Sequence, residues 1–448
     1  MAENRKELRI SYNELMAKKS YPLEIVRLEK IVGGGQAMAT LHDGRKLFCW
    51  GGLPGELVKA QITKSKSKLA EGLVVEVLEP SKERVEPVDK ESYVSTSPWQ
   101  IMDFNAEIKY KKQLIKDAFE LHKIVLKNDI ELYSDDNQFN YLNKMEFSWY
   151  WNKETDQLDL AFFKRGSKGK IPVEDSAIAK NIINIKAVQI RNLLRQKSVS
   201  GFMLKTLLIR CDNDNSVVAQ LYVKDLDFPK FSDSEIKSLD LQGFEIIFSN
   251  PQSPASVITK KLQTLGNNKL TDRMLGANFS YTADSFFQIN LPVYEQALKD
   301  MREFVNIKKP TVDLYSGVGT IGLTIGGEDV TLVEINESAV NEMKKNIKSK
   351  NAKAVLSSTE KVLSYIKKGT NIIVDPPRAG LHSDVIDKIL KELPSRIIYL
   401  SCNPTTQARD FSLLSQNYKI IFHKGYNFFP KTPHIENLIV LELTDKIN

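Results

Sequence analysis

Cysteine, histidine and long apolar runs are all scarce in this chain, and each scarcity removes a class of function. The three cysteines, Cys49, Cys211 and Cys402, stand far apart in 448 residues and in no paired arrangement. That spacing argues against a disulfide framework and a cysteine-rich metal site, so any functional cysteine must act singly. The five histidines are scattered as well, and nothing in their placement suggests a protein-bound metal. No stretch is apolar for long enough to span a bilayer. The first ten residues, MAENRKELRI, lack the apolar core of a secretory signal, so a cytoplasmic protein without a membrane partner is expected. Internal repeats and low-complexity tracts are missing too.

What is present is the composition of a globular protein, 42% hydrophobic and 27% charged, long enough for two to three domains. A net charge of +7 suits a polyanionic partner without requiring one.

Between residues 21 and 78, short β-type runs (EIVRL, KLFCW, LVKAQIT, GLVVEVL) alternate with glycine turns, the pattern of a small antiparallel barrel. Lys64, Lys66 and Lys68 alternate with serines, so they could share one face of a β-ribbon or form a solvated hairpin tip. A charged stretch over 79–90 reads as a linker, and 105–127 as a helix. The following 150 residues are strand-rich. There MEFSWYW (145–151) carries aromatics that could stack on bases or fill a core.

From about residue 270 apolar strands alternate with amphipathic helices, the signature of a parallel sheet covered on both faces. Strands are predicted at 311–315, 330–334, 354–356, 371–375, 396–401, 419–423 and 438–443, with Val340, Met343 and Ile347 on one face of an intervening helix. Ligands of such sheets sit beyond the carboxyl ends of the strands, so polar residues there are the informative ones. The first strand runs into Asp313-Leu314-Tyr315-Ser316-Gly317-Val318-Gly319-Thr320, with Gly322 completing a Gly-x-Gly-x-x-Gly spacing. The second ends in Glu334, placed to accept hydrogen bonds from ribose hydroxyls or simply to open a helix capped by Asn336 and Ser338. Loop and acid together indicate an adenosine-type cofactor without choosing between a nicotinamide and S-adenosylmethionine.

The fourth strand leads into Asp375-Pro376-Pro377-Arg378-Ala379-Gly380-Leu381. Two prolines there hold Asp375 at the sheet edge in extended backbone, a rigidity suited to a catalytic cleft. The fifth brings Cys402 to the same edge, followed by Asn403-Pro404. A cysteine there is either a small core residue or a nucleophile whose thiolate nearby helix amides would favour. Just before the last strand, Glu436 is a candidate general base, His434 competes with it, and either could merely cap the strand.

The segments FFQIN (286–290), DLYSGVGTIGL (313–323), VEIN (333–336), IIVDPPRAGL (372–381), YLSCNPTTQARDF (399–411) and PHIEN (433–437) resemble the RNA (uracil-5-)-methyltransferase family, whose members modify tRNA and 23S ribosomal RNA. The glycine-rich N-terminal strands resemble its TRAM domain, and YLNKMEFSW (141–149) and FFKRGS (162–167) its central domain. The resemblance implies a Rossmann-like α/β class I methyltransferase domain at 270–448. Preceding it would be a TRAM/OB-like RNA-binding β-barrel at 15–80 and a β-rich α+β RNA-binding domain at 91–269. It implies S-adenosylmethionine held by Gln288, Tyr315, Glu334 and Asp375, with Cys402 as nucleophile and Glu436 as base. The implied partner is RNA, ribosomal RNA ahead of tRNA, and a monomer is expected.

Many members carry an iron–sulfur cluster on four cysteines, but Ser95-Thr96-Ser97-Pro98-Trp99-Gln100 has none where several would stand. With three cysteines in all, no four-cysteine cluster is expected. Leu356-Ser357-Ser358 also replaces the acid or amide some members place after the third strand. Cytosine-5 methylation usually draws on a second cysteine, and Cys49 and Cys211 fall in other predicted domains. The remaining alternatives are a non-catalytic RNA-binding module and a nicotinamide dehydrogenase, and the latter leaves Asp375-Pro376-Pro377 and Cys402 unexplained.

Overall fold

The computed structural model describes residues 22–349 and 351–444. The N-terminal leader reading, the barrel start expected at 15–21 and the last four residues of the expected transferase domain lie outside the described residues. Two compact units emerge, one reaching Glu86 and including Ile101–Asp103, the other formed by Pro87–Gln100 and everything from Phe104.

The first unit is a six-stranded sheet. In chain order its strands are Leu23–Arg27, Lys30–Ile31, Ala37–Thr40, Lys46–Trp50, Leu57–Ser65 and Leu69–Glu79, and in space the order is 1-5-6-4-3-2. Alternation decides its faces, with Val58, Ala60 and Ile62 inward along one strand. Buried Glu56 ties this unit together through Arg84 (2.6 and 2.8 Å) and the amides of Leu53 and Ser81. Lys64 is exposed at a strand end, whereas Lys66 and Lys68 occupy the turn beyond it, closed by Lys66 N to Leu69 O at 2.8 Å.

The second unit holds two large sheets. A seven-stranded one includes Lys144–Asn152, Gln157–Phe163, Lys170–Val173, Leu204–Cys211, Val217–Val223 and Gly243–Phe248, with the helix Asn181–Gln196 on one face. Of the aromatics in 145–151, Phe147 and Trp149 are core, while Trp151 is 42% exposed.

The other sheet has eight strands. Lys353–Leu356, Val330–Glu334, Thr311–Leu314, Asn371–Val374 and Arg396–Ser401 run parallel, followed by Glu436–Leu443 antiparallel, then Tyr418–Tyr426. Ile373, Ile398, Leu400 and Val440 pack with Val293, Ala297, Leu298 and Met301 of the helix Leu291–Arg302, and Leu332 packs with Val340 and Met343.

The boundary expected at 270 falls inside the second unit. Residues 104–133, read from sequence with the central domain, add the helix Phe104–Leu121 and the strand Glu131–Tyr133, which pairs with Tyr418–Tyr426. Phe119 of that helix lies 4.9 Å from the His423 ring. An amphipathic pattern states that a helix buries a face, not which sheet covers it. The helix also stops short of 127, because Lys123 takes φ +61° and Ile124 N bonds Phe119 O, a left-handed termination.

Candidate active site

Register explains why distant residues meet. Leu314 pairs with Val333 and Val374, and Val374 with Tyr399, so the loops after these strands open on one sheet edge. Ser401 pairs with Asn437 across the antiparallel ladder. The next residue of one strand, Cys402, therefore lies opposite the preceding residue of the other, Glu436. The Gln407 amide locks this junction, donating to Tyr399 O (2.8 Å) and Asn437 O (3.0 Å) and accepting from Asn437 Nδ2 (2.6 Å).

The glycine loop is built on strain and a buried acid. Tyr315 holds φ +64° without being glycine, a conformation costing roughly 1–3 kcal/mol that the surroundings must impose. Asp313 is fully buried and accepts Gly322 N at 2.8 Å, while its other oxygen has no partner. Burial pushes it up to about 8. A Cβ on Gly322 would come within 2.5 Å of Leu332 and 2.7 Å of that carboxylate, whereas one on Gly317 would meet open space. Glu334 accepts from Gly317 N (2.9 Å) and Asn336 N (2.7 Å), and Asn336 caps the next helix through Ala339 N. The acid thus shapes the loop while its carboxylate stays at the cavity wall.

The turn after the fourth strand is held from behind. Asp410 accepts Leu381 N and Tyr399 OH, each at 2.8 Å, and Asn403 Nδ2 and Thr406 Oγ1 hold Arg378 O. Asn403 also accepts from Thr405 N, capping the helix Pro404–Leu414.

These loops enclose a cavity of about 760 Å³, and all six residues singled out from sequence line it: Gln288, Tyr315, Glu334, Asp375, Cys402 and Glu436. Burial pushes Asp375 upward, and burial plus the charge of Asp375 pushes Glu436 well above the usual carboxylate range, with Arg378 opposing. The Cys402 thiol is raised to about 11, chiefly by burial and then by Glu436 and Asp375, against a counter-pull from Arg378. This corrects the expectation that helix amides would favour the thiolate. Burial weighs most and the two carboxyl groups add to it, because desolvation and like charge both oppose a further anion there.

Two further groups came into view only in three dimensions. The Arg378 cation favours the Cys402 thiolate, and its Nη2 lies 3.0 Å from His434 Nδ1. Burial and that cation take His434 down to about 4. His434 is thus neutral near pH 7, a weaker proton acceptor than a free imidazole, and its Nδ1 faces the Arg378 guanidinium. Behind Gln288, fully buried Arg210 donates to Ser285 O and Phe287 O, both at 2.7 Å, and lies 4.5 Å from the Tyr281 ring. Asn143 holds Gln288 O at 3.3 Å. The carbonyls of Ser285, Phe287 and Gln288 are thus tied to Arg210 and Asn143, and Ser285, Phe286 and Gln288 line the cavity. No local pattern could have linked Arg210 to a loop 75 residues away.

Among the described residues, no cluster of three or more His, Cys, Asp and Glu could hold a metal. The segment Ser95–Gln100, where several cluster cysteines were expected, is held by polar contacts. Gln100 donates to Asp89 (2.8 Å) and Ser97 (2.6 Å), and Trp99 is buried. No described helix is long and apolar enough to cross a membrane.

An RNA methyltransferase of Clostridium tetani is 28% identical over 96% of this chain and 99% of its own length. One from Mycoplasma mobile is 40% identical over 39% of this chain and half of its own. Among solved structures, the Pyrococcus abyssi tRNA (uracil-54, C5)-methyltransferase in complex with S-adenosyl-L-homocysteine shares the fold, with a TM-score of 0.75 at 20% identity over 94% of this chain and all of that one. The family model described as tRNA (uracil-5-)-methyltransferase matches residues 103–368 and 363–444, and the chain belongs to that family.

Proposed function

We propose that this protein transfers a methyl group from S-adenosylmethionine to carbon 5 of a uridine in RNA through a covalent adduct on Cys402. The observation that carries the reading is the convergence of a lone cysteine, two carboxyl groups of raised pKa and one guanidinium on a single cavity. Such a cluster suits stepwise addition and proton removal.

The cavity fits the cofactor. Its glycine loop leaves open space over Gly317, and Glu334 keeps acceptor capacity beyond its two amide bonds, suited to ribose hydroxyls. Gln288, Tyr315, Glu334 and Asp375 would hold it. When bound, S-adenosylmethionine supplies the electrophilic methyl group that carbon 5 accepts.

The chain's own residues do the rest. The Cys402 sulfur adds to carbon 6 as the thiolate, its proton passing to ionised Asp375 while Glu436 stays a carboxylate, and the ring electrons move toward carbon 5 and oxygen 4 as an enolate. Arg378 stabilises the sulfur anion. After methylation, Glu436 takes the carbon 5 proton, the ring double bond re-forms, and the sulfur leaves. Because that ring edge is inaccessible in a stacked helix, the uridine must be unstacked to enter.

We assign the N-terminal sheet as the TRAM-like RNA-binding unit and the seven-stranded sheet as a second RNA-binding region. Ribosomal RNA is placed ahead of tRNA as substrate. The test incubates the protein with labelled cofactor and unmodified 23S ribosomal RNA or tRNA, then digests to nucleosides for mass spectrometry. Label in 5-methyluridine is expected. Label in 5-methylcytidine, or in neither RNA, would overturn the reading.

A further inference from the structure

The strand Leu204–Cys211 serves two interiors at once. Leu207, Ile209 and Cys211 pack into the core shared with the helix Asn181–Gln196, whereas Leu208 joins Val218, Tyr281 and Phe287 in another. Alternation sends residue 210 to that second face as well, and there the sequence places an arginine that is fully buried. Its guanidinium lies 4.5 Å from the Tyr281 ring, which stacks on Phe287 at 4.3 Å. Asp272, an acid whose charge it feels, is taken by Tyr281 OH (2.5 Å) and Asn213 N (2.9 Å). Among the described residues, no carboxylate forms an ion pair with Arg210.

A cation buried without a counter-charge destabilises relative to an apolar side chain of similar size. What offsets that cost is a pair of carbonyl oxygens, Ser285 O and Phe287 O, each bonded at 2.7 Å. Both belong to the irregular link between the strand Ala277–Thr282 and the helix Leu291–Arg302. No backbone amide among the described residues reaches either oxygen, so the planar fork of Arg210 does for this link what a neighbouring strand would do. Carbonyls two residues apart fix the backbone between them, and Asn143, from the same sheet, holds the next carbonyl at Gln288. The segment fixed in this way lines the cavity with Phe286 and Gln288, while Arg210 itself stays behind the wall.

We propose that Arg210 is a positioning residue for S-adenosylmethionine: from the seven-stranded sheet it fixes the backbone that carries Gln288, and so sets cofactor affinity without touching the cofactor or the reacting atoms. A lysine cannot take its place in full, because a single ammonium lacks the planar fork that meets two carbonyls at once. The inference rests on Gln288 contacting the cofactor, as proposed above.

The test titrates the full-length protein with S-adenosyl-L-homocysteine by calorimetry, with no RNA present. Arg210→Met should weaken binding by about ten- to a hundredfold, since two charge-assisted bonds to the link are lost. Arg210→Lys should weaken it by about three- to tenfold, recovering part of that loss. In methyl-transfer assays the KM for S-adenosylmethionine should rise with the dissociation constant, while turnover at saturating cofactor stays within about threefold. A lower thermal midpoint with unchanged affinity makes Arg210 a structural residue only and overturns the proposal. Lower turnover at saturation with unchanged affinity overturns it as well. If Arg210→Met does not fold, Arg210→Lys decides alone, and unchanged affinity there is fatal. Gln288→Ala separates the inference from its premise. Weaker binding in that variant with indifferent Arg210 variants defeats the role of Arg210 alone, whereas unchanged binding removes Gln288 from the cofactor site and defeats both.

Discussion

Two polar clusters meet the C-terminal segment within ten residues of each other, one at Asn427 and Lys431 and one at Glu436, and they handle charge in opposite ways. In the first, Glu107 accepts from Asn427 (2.8 Å), Lys431 N (3.0 Å) and Lys111 (3.1 Å), while Lys111 also bonds Asn427 and Phe429 O. Burial pulls Lys111 down, and Glu107 pushes it back. Lys111 there spends its three donors on Glu107, Asn427 and Phe429 O, and the same carboxylate lies 4.0 Å from Lys431 Nζ. In the second, Asp375, Glu436 and the Cys402 sulfur crowd together with Arg378 as their cation, and all three acids are pushed upward. A satisfied cluster holds elements together, whereas an under-compensated one keeps protons and electron pairs available for chemistry.

The contrast can be broken by substitution. The largest effect is expected for Cys402→Ala, which should lower turnover by roughly 10⁴-fold or more while cofactor affinity by calorimetry stays within about twofold. Matching losses of affinity and turnover would instead make the cysteine a binding residue. Glu436→Gln should cost about 10²–10⁴-fold in turnover and accumulate a protein–RNA species that survives a denaturing gel. Its thermal midpoint should not fall, because a carboxyl under strain has been removed. In the satisfied cluster Glu107→Ala should destabilise by about 3–5 kcal/mol, since it strands a buried lysine; a denaturant midpoint near that of the unaltered protein would contradict the distinction.

A smaller effect sharpens the account of Arg378. The reactive sulfur is the deprotonated form, so alkylation of Cys402 by iodoacetamide should rise with pH toward a midpoint of about 11. Arg378→Gln removes the group that pulls the thiol down and should move that midpoint higher. A shift to lower pH would reverse the assigned role. The smallest effect, about 1 kcal/mol of stability, is expected for Asn403→Ala, which removes one helix cap and frees Arg378 O.

Much of the site was legible because its residues lie at strand ends, where sequence order and chemistry coincide. Asp375 is announced by its twin prolines and Glu334 by its distance from the glycine loop. Arg210 was not legible. Its carbonyl partners are 75 and 77 residues away, and an arginine inside an apolar strand, TLLIRC, offers no local sign of its target. The ambiguity over 145–151 was likewise decided by packing, which takes Phe147 and Trp149 inward and leaves Trp151 at the surface.

Alternating apolar periods, the glycine spacing and the order of the polar strand ends, all properties of short windows, were enough to indicate a parallel sheet with an adenosine-type cofactor and to bring a single cysteine, a candidate nucleophile, to its carboxyl edge. Tertiary structure alone decided which sheet received residues 104–133, that Ser401 pairs with Asn437 and so sets Cys402 opposite Glu436, and that the thiol is raised rather than lowered. The physical reason is common to all three. Docking, strand register and local electrostatics depend on groups brought together across hundreds of residues, and no window of the chain contains both partners.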